Sequence, residues 1–199
     1  MFITLYLIQF FSAMFRRFLK MQRFKTKQLA LSGLMAALVM VGTMLIQVPT
    51  PTKGYIHIGD SMVYLSGILL GPVAGGLAAA LGSLLADVAS GYGIYAPATF
   101  VIKGLDALVV GYCYHIIARS SSTLTRKTFG YVLGVALGGA IMVGGYLVYE
   151  TLLYGFATAV LGIVGNITQA AGGGILAFPL LAALEKMNVP QKMKEALIK

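Results

Sequence analysis

Apolar stretches long enough to cross a lipid bilayer recur along this chain, and they constrain its fold more than any other feature. Residues 29–48 form 20 consecutive positions without a charged side chain, about the length that a helix needs to span the hydrocarbon core. Of all 199 residues, 58% are hydrophobic and 11% are charged, whereas soluble domains are about 25% charged. The sequence therefore predicts an all-α integral membrane protein with no room for a separate soluble domain.

Hydropathy divides the rest of the chain into further predicted spans, at residues 73–89, 98–118, 129–149 and 157–184. A shorter apolar run at residues 62–70 covers only about half a bilayer before Gly71-Pro72. Either it is a short second helix that turns there, or it continues through Pro72 as one bent span. Taking the short helix as a separate crossing gives six transmembrane helices in a membrane domain at residues 29–184.

Basic residues predict the topology. Three clusters, at residues 16–27, 119–127 and 186–199, hold 13 of the 15 lysines and arginines. An even number of spans places all three clusters on one side of the membrane, which the positive-inside rule makes cytoplasmic. We therefore expect both termini in the cytoplasm, with residues 185–199 as a cytoplasmic tail and the basic charge serving orientation rather than nucleic-acid binding.

The N-terminal segment, residues 1–28, has an apolar run followed by a basic cluster. A secretory signal peptide has the opposite order. Two interpretations remain open: an amphipathic helix that lies on the membrane surface, or a leader added by an upstream start, with Met21 as the working initiator.

Most of the remaining polar side chains fall at the predicted outer ends of the spans, where they indicate a small-molecule pocket. A charge at mid-bilayer costs about 2.5–3.5 kcal/mol, so these groups should face inward, pair, or meet water and a ligand. Amides such as Asn166 and Gln169 would add hydrogen-bond donors and acceptors. The candidate substrate-binding residues are Tyr55, His57, Asp60, Asp87, Tyr92, Tyr95, Lys103, Asp106, Glu150, Asn166 and Gln169.

Several of these residues have a structural explanation as well as a functional one. Asp60 begins an apolar run and is as well explained as a helix cap, whereas Asp87 lies inside a span, which favours an ion-paired or functional role. Lys103 and Asp106 are three positions apart, a spacing that permits a pair along one helix. Tyrosines at this end fit an interfacial belt or stacking on a flat ligand.

The sequence also lacks motifs that other functions require. It contains no phosphate-binding loop of the G-x-x-x-x-G-K-[ST] type and no H-E-x-x-H, serine elbow or cysteine pair. His57 alone does not predict a metal site. We therefore expect no enzyme activity, no metal and no cofactor, and a transporter of this kind must take its energy from an ion gradient or from a partner.

Four short motifs, taken in order, resemble one family. They are I-x-x-G-D at residues 56–60, G-P-x-x-G-G at 71–76, G-S-x-x-A-D at 82–87 and T-x-x-x-K-G at 99–104. Their order, the chain length and the charge pattern resemble the substrate-binding S components of energy-coupling-factor (ECF) vitamin transporters. The nearest branch is the riboflavin-type group, which includes proposed pyridoxine and hydroxymethylpyrimidine carriers.

This resemblance implies a prokaryotic, multi-pass protein of the cell membrane that binds a water-soluble vitamin near the outer face. Pyridoxine or hydroxymethylpyrimidine is the first expectation and riboflavin the next. The resemblance also implies two kinds of partner, a transmembrane coupling protein and two ATPase subunits. The S component would deliver the vitamin by reorienting in the bilayer. The coupling protein would dock on small residues four apart in the first helix, which here are Ser32 and Ala36 or Gly33 and Ala37.

Two other functions compete with this interpretation. A stand-alone proton-coupled carrier would use Asp87, Asp106 and Glu150 as a proton relay. A membrane enzyme acting on lipid or isoprenoid would need paired acidic motifs on the cytoplasmic side, and the acids here lie mostly on the other side.

Overall fold

The computed structural model describes residues 26–50, 52–118 and 124–198. Seven α-helices and one two-stranded hairpin follow one another in these ranges: α1 (Thr26–Leu45), β1 (Gln47–Pro49), β2 (Tyr55–His57), α2 (Asp60–Leu70), α3 (Pro72–Ala89), α4 (Ala96–Ala118), α5 (Leu124–Tyr154), α6 (Phe156–Lys186) and α7 (Val189–Ile198). The N-terminal segment before Thr26, including Met21, lies outside the described residues. The predicted all-α membrane fold with a short second helix is confirmed.

Within the part of the chain that the structure describes, five helices are long and apolar enough to cross a membrane: α1, α3, α4, α5 and α6. The sixth predicted crossing, α2, has only 11 residues, a length of roughly 16 Å at the α-helical rise. It is almost completely buried against α1, α3, α4 and α6. A helix enclosed in this way needs no contact with lipid along its length, which is why its short apolar run suffices.

The first span ends earlier than predicted. Helix α1 stops at Leu45, and residues 47–49 form an antiparallel strand that pairs Val48 with Ile56. The expectation of one span through residue 48 was wrong because apolar residues also suit a strand. Pro49, which was expected to end the span, is the last residue of this strand and pairs with Tyr55, and Pro51 lies outside the described residues.

The break between the second and third spans is sharp. Gly71 has φ +86°, a conformation that favours glycine, and Pro72 is the first residue of α3. Gly75 then approaches Ser66 so closely that no side chain fits between them. Of the two predicted alternatives, the structure therefore has two separate helices rather than one bent span.

The last two spans are longer than predicted. Helices α5 and α6 contain 31 residues each and are separated only by Gly155, which has φ +83°. The predicted loop at residues 150–156 was wrong, and Glu150 lies inside α5. Within the predicted cytoplasmic tail, Val189–Ile198 form α7.

Candidate functional site

A polar cavity lies at the end of the bundle where the hairpin meets the C-terminal ends of α3 and α5 and the N-terminal ends of α4 and α6. The basic residues Arg126, Lys127 and Lys186 occupy the opposite ends of α5 and α6. The cavity is lined by Thr50, Thr52, Gly54, Tyr55, His57, Asp87, Tyr95, Thr99, Tyr146, Glu150, Gly162, Asn166 and Gln169. No lysine or arginine is among these lining residues.

Asp87 forms one wall of this cavity. It is 4% exposed, and Tyr55 donates a hydrogen bond from its hydroxyl to Asp87 Oδ1 at 2.6 Å. Burial and the charge of Asp87 raise the pKa of Tyr55, so this hydroxyl remains a donor. Among the described residues, no donor reaches Asp87 Oδ2 in hydrogen-bonding geometry. Tyr55 thus holds one carboxylate oxygen, while the other is buried and has only the side chain of Thr99 as a weaker neighbouring partner.

Glu150 forms a second acidic wall in a similar way. Tyr95 donates to the carbonyl oxygen of Thr52 at 2.5 Å and lies 3.4 Å from Glu150 Oε1. Glu150 Oε2 accepts no hydrogen bond of normal geometry within the described part of the chain, although the Thr52 side chain lies close to this carboxylate. A Cβ atom at Gly162 would lie 2.6 Å from this oxygen. Glycine at that position therefore leaves room for the carboxylate.

A buried polar network forms the floor under the cavity. Lys103 Nζ lies 2.5 Å from Asp60 Oδ1, and both side chains are completely buried. Gln169 donates to Asp60 Oδ2 at 3.1 Å and accepts from the backbone N–H of His57 at 3.0 Å. The network ties α2, α4, α6 and the hairpin together, so the shape of the cavity depends on it.

The contacts in this floor contradict two structural explanations that the sequence allowed, the Lys103–Asp106 pair and the Asp60 helix cap. The pair permitted by the spacing of Lys103 and Asp106 does not form, because Lys103 turns toward Asp60 on α2 instead. Asp106 is fully buried, and neither of its oxygens has a hydrogen-bond partner among the described residues. Asp60 is not a helix cap either: α2 has no side-chain cap hydrogen bond, and the residue before it, Gly59, occupies that position.

The structure brings most of the predicted site residues together. Asp60 and Lys103 lie in the floor, Asp106 lies deeper on α4, and Tyr92 lies outside the cavity with its ring 4.4 Å from that of Tyr55. Seven of the predicted residues line the cavity: Tyr55, His57, Asp87, Tyr95, Glu150, Asn166 and Gln169.

Sequence reasoning missed the hydroxyl residues Thr50, Thr52, Thr99 and Tyr146, which also line the cavity. Threonine is common in membrane helices and turns, so its presence carries little signal. The hydroxyls of Thr99 and Tyr146 lie 3.0 Å apart. Thr99 begins the T-x-x-x-K-G motif, which was the one available hint.

The hairpin residue His57 is expected to make the stability of the fold depend on pH. Its Nδ1 accepts a hydrogen bond from the backbone N–H of Gly59 at 3.1 Å, so this nitrogen carries no proton. Burial lowers the pKa of His57 to about 4, and this effect outweighs the negative charge of Asp60, which raises the pKa. The unfolded chain takes up this proton near pH 6.5, so stability is complete above that pH and decreases between pH 6.5 and 4.

We expect His57 to account for a loss of up to about 3 kcal/mol of unfolding free energy over this range. In His57→Asn, an amide oxygen can replace Nδ1 as acceptor without titrating. The measurement is the difference in unfolding free energy between wild type and variant from pH 7 to pH 4. A difference that does not change with pH would contradict the assignment to His57.

A bundle of apolar helices with a polar cavity at one end defines the chain as a multi-pass membrane protein with a candidate site for a small polar molecule. The chain belongs to the family of ECF-type riboflavin transporter S components, whose family model matches residues 23–186. Proteins of this family are transporter subunits that work with a coupling protein and ATPases and bind vitamins. The chain is therefore a multi-pass membrane transport component and not an enzyme.

Similarities to individual proteins support both the family assignment and the fold. A protein of Pyrococcus woesei, named only for its position next to another gene, is 39% identical over 76% of this chain and 97% of its own length. The thiamine precursor transporter HmpT of Lactococcus lactis is 26% identical over 85% of this chain and 95% of its own. The solved structure of the S component of a bacterial ECF transporter shares the fold, with a TM-score of 0.61 and 18% identity over 81% of this chain and 96% of that one.

Proposed function

We propose that this chain captures a single-ring, nitrogen-containing vitamin or vitamin precursor at the outer face of the plasma membrane. Hydroxymethylpyrimidine is the first candidate, pyridoxine the second and riboflavin the third. The observation that carries the proposal is a cavity lined by two carboxylates and by no lysine or arginine, in which one oxygen of each carboxylate accepts no hydrogen bond of normal geometry from the described residues.

The chemistry of the lining favours a ligand that donates hydrogen bonds. The free oxygens of Asp87 and Glu150 can accept from an amino group, a protonated ring nitrogen or a hydroxyl. An aminopyrimidine with a hydroxymethyl group offers such donors around one ring. An anionic or phosphorylated vitamin would instead meet two buried carboxylates, which is unfavourable in a low dielectric, and Lys103 under the cavity is already paired with Asp60.

Cavity size also favours a small ligand. The cavity volume is about 30 Å³, enough for a few water molecules at most. Even one ring requires the hairpin and the surrounding tyrosines to move apart, and the three fused rings of a flavin require a much larger displacement. The similarity to a thiamine precursor transporter points in the same direction.

The substrate proposal is tested by titrating the detergent-solubilised chain with hydroxymethylpyrimidine, pyridoxine and riboflavin in a calorimeter. We expect the pyrimidine to bind most tightly and its phosphate ester to bind at least about tenfold more weakly, a difference of about 1.4 kcal/mol. Tightest binding of riboflavin or of the phosphate ester would refute the proposed selectivity.

The partner-docking surface is proposed on α1. Gly33 and Ala37 are exposed, and a Cβ atom at Gly33 would meet nothing within 4 Å. The alternative pair faces α3, where the carbonyl oxygen of Ala36 lies against Gly82 and Ser32 is half-buried. We therefore assign the contact with the coupling protein to Gly33 and Ala37, since small residues let a neighbouring helix approach closely.

Gly33→Leu is expected to weaken assembly with the coupling protein and the two ATPases by about tenfold or more, equivalent to about 1.4 kcal/mol. The added side chain would hold the partner helix away while leaving the cavity unchanged. The measurement is the amount of coupling protein that co-purifies, together with ligand affinity. Gly172→Leu is the matched control, because Gly172 is another helical glycine with nothing within 4 Å of its Cβ position.

The proposed transport mechanism is delivery of the vitamin by reorientation of the chain together with the ECF module. It is tested by measuring vitamin uptake in cells that express the chain with and without the coupling protein and the ATPases. Uptake should require the coupling protein and both ATPases. Uptake that persists without them and collapses with an uncoupler would show a proton-coupled carrier instead. If Gly33→Leu assembled normally but lost ligand binding, the assignment of the docking surface would be contradicted, whereas the proposed transport mechanism would not be affected.

A further inference from the structure

An apolar groove runs between α5 and α6 on the outside of the bundle, separate from the vitamin cavity. Its volume is about 970 Å³. We call it the α5–α6 groove and define it by Tyr131, Val135, Ala136, Gly139, Ile175 and Phe178. Glycine and alanine on the facing helices leave this gap because their side chains cannot fill it.

The groove has the length of a lipid tail. It extends along α5 from Thr128 to Gly144, a distance of about 24 Å at the α-helical rise. One leaflet of the hydrocarbon core is about 15 Å thick, half of the total. The groove is therefore longer than the hydrocarbon layer of one leaflet, so an acyl chain of that leaflet fits within it.

At the basic end of the bundle the groove continues into a mouth whose lining includes charged side chains. This mouth has a volume of about 310 Å³ and shares Thr128, Tyr131 and Phe178 with the apolar part. The Tyr131 ring lies 5.6 Å from that of Phe178, and its hydroxyl donates to the carbonyl oxygen of Gly174 at 2.5 Å. These contacts fix the side chains at the junction between the α5–α6 groove and its mouth.

The charges at the mouth are positive on balance. Lys127 and Glu185 form an ion pair, and Tyr114 also donates to Glu185, so this carboxylate is already occupied. Lys186 lines the mouth, and Arg126 lies beside Lys127 on the first turn of α5. Both side chains are exposed, and neither forms an ion pair within the residues that the structure describes.

We infer that the α5–α6 groove binds an anionic phospholipid of the cytoplasmic leaflet. One acyl chain lies in the groove, and the phosphate lies at Lys186 and Arg126. Charge complementarity selects an anionic headgroup over a zwitterionic one, because each basic residue near the membrane surface attracts anionic lipid. The groove shares no helix with the proposed docking surface on α1, so a lipid and the coupling protein can bind together.

The test extracts the full chain from vesicles of equal parts phosphatidylcholine and phosphatidylglycerol and identifies the retained lipid by native mass spectrometry. We expect phosphatidylglycerol to be retained preferentially. Lys186→Gln and Arg126→Gln should each reduce that preference about fivefold. Lys192→Gln is the matched control, because this exposed lysine lies on α7 outside the groove.

A second pair of variants tests the apolar part. Ala136→Phe should fill the groove and abolish retention, whereas Leu137→Phe changes the adjacent exposed position outside it and should retain lipid like wild type. Equal retention of both lipids by wild type would overturn the inference. So would an equal effect of Lys192→Gln, or cross-linking that shows a protein helix seated in the groove.

Discussion

Replacing Lys103 with methionine is expected to lower the free energy of unfolding by about 3–5 kcal/mol, the effect of leaving a buried charge without its partner. Lys103 and Asp60 are both completely buried. Methionine keeps most of the side-chain volume, so the loss would come from the unpaired Asp60 carboxylate. The measurement is reversible unfolding in mixed detergent micelles.

Two further variants show whether the pair is the cause. The double variant Lys103→Met with Asp60→Asn removes both charges and should recover much of the stability, since the introduced amide oxygen can still accept from Gln169. Lys53→Met, at an exposed lysine over the Tyr154 ring, should stay within about 0.5 kcal/mol of wild type. A double variant no more stable than Lys103→Met would mean that the ion pair is not the source of the effect.

Asp87→Asn is expected to weaken hydroxymethylpyrimidine binding by about 10- to 150-fold, from the 1.5–3 kcal/mol of a hydrogen bond to a charged group. The amide keeps the size of the side chain and an acceptor for the Tyr55 hydroxyl. It removes the negative charge and presents an NH₂ group where the free oxygen was. Calorimetric titration of the purified variant measures the change.

Glu185→Gln provides the matched control for Asp87→Asn. Glu185 also accepts from a tyrosine, Tyr114, but it lies at the opposite end of the bundle. This variant should bind the pyrimidine like wild type. If Asp87→Asn also bound within about twofold of wild type, Asp87 would have no place in the ligand site, although the cavity itself would remain.

Much of the site could be predicted from the sequence because charged groups are rare in a membrane chain. Asp87, Glu150 and Gln169 stood out against apolar surroundings, and the energetic cost of exposing them to lipid implied that they face inward. The threonines of the hairpin carry no such cost, so nothing in the sequence marked them. Hydropathy also could not show that residues 47–49 form a strand.

The sequence by itself determined the membrane fold, the boundaries of α3 and α4 to within two residues, and the end of the bundle that holds the polar groups. These follow from apolar run length and from the distribution of basic residues, which are local properties of the chain. Tertiary structure alone decided which groups pair. Lys103 had an acid three positions away, yet it binds Asp60 because the orientation of each helix depends on close packing at glycines such as Gly67 and Gly75.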